Sequence, residues 1–126
     1  MKKSRILLSL AALSLACSCS SSSESDGAAA AAAAGKQLFV ANGCVVCHGE
    51  TGKGDGIGAA ALDPKPRNYT DAGWQASVTD SHIKQVIVQG GAANGLSPTM
   101  PPHPQFQTKE AELAQIVAFI RSLSGK

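Results

Sequence analysis

Cys44-Val45-Val46-Cys47-His48 is the stretch on which this 126-residue chain turns. Two cysteines three positions apart, followed at once by histidine, read as the covalent attachment site of a c-type haem. The spacing sets the thiols opposite the two vinyl groups of one porphyrin, where each can become a thioether. His48 is then carried beneath the iron as proximal ligand. With 4 cysteines and 3 histidines in the chain, chance would supply roughly 0.003 such matches. Zinc and redox readings of Cys-x-x-Cys fit less well. A closed zinc site needs two further ligands, and no second pair accompanies His82 and His103. A thioredoxin-like pair needs a βαβ context that is missing.

Upstream, Lys2, Lys3 and Arg5 precede an eleven-residue apolar stretch, Ile6 to Ala16, too short to span a bilayer. Residues 1–16 are expected to be a signal peptide cleaved after Ala16, placing the protein in the periplasm or another extracytoplasmic compartment. Cys17 would then head the chain, and with the serine tract behind it this resembles a bacterial lipoprotein anchored through acylated Cys17. Ser14 and Leu15 depart from that pattern, so ordinary cleavage is the alternative. A Cys17–Cys19 disulfide would close too short a loop to constrain anything.

Cleavage also removes three cations. The whole chain carries 11 basic and 9 acidic side chains, a net +2. Without Lys2, Lys3 and Arg5 the balance is 8 against 9, or −1. The basic character belongs to the leader, so no nucleic-acid partner is implied.

Residues 17–34 read as a flexible tether rich in serine and alanine. They would span roughly 60 Å fully extended and about 23 Å as a coil. The seven alanines from Ala28 to Ala34 are marginal as an isolated helix, but they can extend the helix that follows. Residues 35–126 then form one small domain, short of aromatic residues, whose core a porphyrin would complete. Three helices are expected. The first covers Gly35 to Asn42. The second is capped by Thr79, with Ile83, Val86 and Ile87 on one face, and ends at Gly90-Gly91. The third runs from about Thr108 to Leu123, with Glu110 and Glu112 early and Arg121 late. No segment alternates with period two, so no strand is required.

This arrangement resembles the class I cytochrome c family, from Gly35 to Ser124. The resemblance implies a small all-α fold of three to four helices with long loops around one haem c, covalent through Cys44 and Cys47. It also implies that Gly35 and Phe39 on the first helix pack against Phe119 on the last. Met100, between Pro98 and Pro101-Pro102, stands where the family has its distal methionine. It is also the one methionine left after cleavage, in a loop that proline holds extended. His103 and His82 are rival sixth ligands, and His82 reads more simply as a solvated helix residue. The segment Gly49-Glu50-Thr51-Gly52-Lys53-Gly54 fails as a phosphate loop, since Lys53 is followed by glycine. By resemblance, the carbonyl of Pro64, or failing that Pro66, would accept the Nδ1–H of His48. Arg67, Tyr69 and Trp74 are candidate donors to the haem propionates, against plain surface and core roles.

The expectation is a monomeric electron-transfer protein rather than an enzyme. Its transient partners would be redox proteins such as a dehydrogenase, a terminal oxidase or a peroxidase. The alternatives are a haem enzyme or ligand sensor with a displaceable sixth ligand, and a fixed electron-entry subunit of a membrane complex.

Overall fold

The computed structural model describes residues 22–126. The expected signal peptide and the Cys17 and Cys19 readings lie outside these residues. Five α-helices are present: α1 (Ser22–Ala41), α2 (Val45–His48), α3 (Ala72–Ser77), α4 (Asp80–Gln89) and α5 (Glu110–Ser122). Short 3-10 turns occur at Ile57–Ala59, Ala92–Asn94 and Pro104–Thr108, and the described residues contain no strand. The all-α class expected from sequence is what is found, with five helices in place of three or four. α2 and α3, not among the three helices read from sequence, are single turns or little more, too short to show a period.

α1 and α5 form the frame. Gly35 lies where they cross, and a Cβ there would overlap the backbone carbonyl of Gln115. Only glycine permits that approach. One turn on, Phe39 meets Phe119 edge-on at 5.2 Å between ring centroids. Phe39, Phe106, Ile116 and Ile120 are the fully buried large side chains. The family-implied packing of Gly35, Phe39 and Phe119 is therefore present.

α1 starts thirteen residues before the expected domain boundary at Gly35. The segment from Ser22 to Ala34, expected to be flexible tether, is helical here. Its alanine run has the highest helix propensity in the scale and grows from a helix already nucleated by packing downstream.

α4 follows its sequence signals closely. The Thr79 hydroxyl accepts from His82 N–H at 3.2 Å, and Gly90 closes the helix at φ 79°. α3 is capped by Asp71, whose Oδ1 accepts from Trp74 N–H at 3.1 Å. Lys84 pairs with Glu110, and Arg121 with Asp80 at 2.7 Å, tying α4 to both ends of α5. Exposed pairs of this kind contribute little stability singly. No helix among the described residues is long and apolar enough to cross a membrane.

Candidate haem site

α2 is a single turn that carries the thiols. Cys44 sits in αR conformation as its N-cap, and His48 N–H closes the turn on Cys44 O at 2.9 Å. Cys44 and Cys47, three apart on one turn, share a face. Gly49, at φ 77°, stops the helix. The glycine-rich loop then folds back, with Gly54 N–H donating to His48 O (2.8 Å) and Gly56 N–H to Cys47 O (3.2 Å). A Cβ at Gly56 would overlap the carbonyl of Val46, so these glycines allow backbone to lie on backbone behind the motif.

His48 is buried and oriented on two sides. Its Nδ1 lies 3.2 Å from Arg67 O. A carbonyl can only accept, so Nδ1 carries the proton and Nε2 keeps its lone pair. That is the tautomer a metal ligand needs. The Tyr69 hydroxyl donates to Nε2 at 3.2 Å, a bond that Nε2 gives up on binding a metal, and the two rings stack at 4.6 Å and 15°. Burial pulls the imidazole pKa below its usual value, with the Arg67 carbonyl opposing, which keeps the ring neutral.

The acceptor of Nδ1–H is thus Arg67, not Pro64 or Pro66. The Pro66 carbonyl faces Gly54, where a Cβ would overlap it. Tyr69 N–H, donating to Gly52 O at 2.7 Å, fixes the chain just beyond. A backbone acceptor leaves no side-chain signature, so sequence could suggest the segment but not the residue.

Met100 comes from a loop clamped to the end of α4. Gly91 N–H donates to Met100 O (3.0 Å), Met100 N–H to Ser97 O (3.1 Å) and His103 N–H to Ile87 O (2.9 Å). A Cβ at Gly91 would overlap the Ser97 carbonyl.

Cys44, Cys47, His48, Pro64, Arg67, Tyr69, Trp74 and Met100 all line one cleft of about 310 Å³, as do His82 and His103. Leu62, Ile83, Val86, Ile87, Leu96, Ile116 and Ile120 supply apolar wall. A wider recess of about 410 Å³, between α1 and the end of α5, contains no thiol, imidazole or thioether. The chemistry belongs to the smaller cleft. Its contents fit a covalently held haem: two free thiols one helical turn apart, a neutral imidazole and a thioether in an apolar enclosure. Burial pushes the Cys44 thiol pKa up, with Cys47 adding and a backbone hydrogen bond opposing.

The three expected propionate donors all stand at the cleft. Tyr69 is buried, 7% exposed, with its hydroxyl on His48, and the Arg67 guanidinium lies over the Trp74 ring at 5.8 Å. Arg67 is exposed and Trp74 half-buried at the cleft wall.

Comparison with known families agrees with this geometry: the family model described as Cytochrome c matches residues 32–124. The chain belongs to the cytochrome c family. No curated protein and no solved structure matched the chain. Membership in the cytochrome c family makes this a haem-binding electron-transfer domain and implies haem c on Cys44 and Cys47. The match begins within the alanine run of α1 and ends just beyond α5, so the crossing of the two helices at Gly35 lies inside it.

Proposed function

We propose that the protein is an exported, single-haem electron carrier whose iron is held by His48 Nε2 and Met100 sulfur. Haem iron would supply one-electron exchange between Fe(III) and Fe(II). The chain's part is to hold both axial groups through that change and to keep water and substrates out. One observation carries the reading: His48, in its Nε2-lone-pair tautomer, and Met100 border the same apolar cleft as the two thiols. Hydrogen bonds from Gly91 and His103 hold the Met100 loop, so little ordering entropy is lost when its sulfur binds.

The charged leader, the apolar stretch and Cys17 support export to the periplasm and a lipid anchor. Docking would be transient and monomeric, to a dehydrogenase on one side and an oxidase or peroxidase on the other. The variant Met100→Ala tests the ligation. Haem should stay covalent while the sulfur-to-iron band of the oxidised protein disappears and carbon monoxide binds the reduced form. Retention of that band in Met100→Ala contradicts the assignment. Intact-mass measurement of the exported protein decides acylation of Cys17 separately.

A further inference from the structure

The geometry points to Gln75 and Arg121 as positioning residues for the haem histidine, acting through Tyr69 and so tuning the reduction potential. This rests on His48 as axial ligand. Neither side chain touches His48, and nothing in the motif pattern singles either out.

The segment from Arg67 to Tyr69 contacts the imidazole twice, through the Arg67 carbonyl on Nδ1 and the Tyr69 ring on its face. It is held at its end by two bonds: Tyr69 N–H to Gly52 O at 2.7 Å and Gln75 Nε2 to Tyr69 O at 2.7 Å. Gln75 is a buried polar residue, 8% exposed. Its amide nitrogen also donates to Ile120 O at 2.8 Å, so both protons are used. Its amide oxygen accepts from Arg121 Nη1 at 2.9 Å. The same nitrogen reaches Gln75 O at 2.7 Å, while Nη2 reaches Val78 O at 2.7 Å and Nε reaches Asp80 at 2.7 Å.

The guanidinium fork therefore fixes which way the Gln75 amide faces, and the amide fixes the Tyr69 carbonyl. Lysine, a point cation, cannot reproduce a planar fork with several donors. Groups that orient a ligand histidine set its basicity, and a stronger Nδ1–H···O bond makes the imidazole a better donor to Fe(III). Loosening the segment weakens that bond and favours Fe(II).

The test is the midpoint potential of the haem-loaded, full-length protein and three variants. Gln75→Leu removes both donors at similar volume. Arg121→Lys keeps a cation beside Asp80 without the fork and is the milder change. Leu113→Ala truncates a buried α5 side chain outside this hydrogen-bond chain and controls for general destabilisation. Gln75→Leu is expected to raise the Fe(II)/Fe(III) ratio at fixed potential about threefold, roughly 28 mV upward at 59 mV per decade. Arg121→Lys should shift it the same way by less, and Leu113→Ala should leave it near wild type. Unchanged potentials in both polar variants, or an equal shift in Leu113→Ala, overturn the positioning role. A wild-type holoprotein without a low-spin, histidine-ligated resonance signal overturns the ligand assignment along with it.

Discussion

The imidazole of His48 and the phenol ring of Tyr69 lie nearly parallel, 15° apart, with centroids 4.6 Å apart. Phe39 closes on both, at 6.1 Å from the His48 ring and 6.3 Å from the Tyr69 ring. The His48 ring is therefore walled by aromatic side chains from α1 and the loop before α3. Tyr69→Ala should destabilise the protein by about 3–5 kcal/mol, the range for truncating a buried aromatic. Tyr69→Phe keeps the stack and, in the haem-free protein where the hydroxyl donates to Nε2, should cost about 1 kcal/mol. Urea denaturation of both variants measures the difference. Equal losses would mean that the hydroxyl, not the ring, carries the contact.

Gly35 tests the frame. Alanine there gains up to about 1 kcal/mol in helix propensity, but its Cβ would overlap the Gln115 carbonyl. Overpacking of this kind costs about 1–3 kcal/mol or more, so sterics win. Gly35→Ala should lower the denaturation midpoint. A raised midpoint would mean that α1 and α5 do not cross where the structure has them.

Much of this frame could be read from residues. Thr79 and Gly90 bracket α4 because capping chemistry is local, and the apolar stripe of α5 repeats long enough to show its period. α5 itself begins at Glu110, since Pro104–Thr108 form a 3-10 turn ahead of it. The cleft followed from Cys44, Cys47, His48 and Met100, whose chemistry has few other uses together. What escaped was non-local. The choice of Arg67 over Pro64 or Pro66 depends on where Gly52 and Gly54 hold the chain. The Gln75–Arg121 junction joins residues 46 apart in sequence, and α3 is too short for its pattern to register.

The upstream half of α1 rests on propensity rather than packing. Residues 24–30 are exposed, so composition alone decided between tether and helix, and alanine decided for helix. Ala30→Pro should unwind the turns preceding it, a proline costing about 3 kcal/mol within a helix. Far-ultraviolet circular dichroism should show lost helicity with an unchanged denaturation midpoint. A fallen midpoint would show that this half stabilises the domain.

His103 sets a pH dependence. Burial holds its pKa below 6.5, so the folded state binds its proton less readily than the unfolded chain. Its effect is absent above about pH 6.5, and stability falls as pH drops from there toward the folded value. His103→Gln should flatten that stretch of the stability–pH curve. An unchanged curve would assign the acid sensitivity elsewhere.

The most direct test of His48 and Met100 on one covalent haem is the visible spectrum of the matured protein, oxidised and reduced, with and without carbon monoxide. The expected result is haem that survives acid-acetone extraction, a far-red sulfur-to-iron band when oxidised, and no change with carbon monoxide when reduced. Covalent haem without that band, binding carbon monoxide readily, would contradict Met100 ligation and turn the reading toward a haem enzyme or ligand sensor.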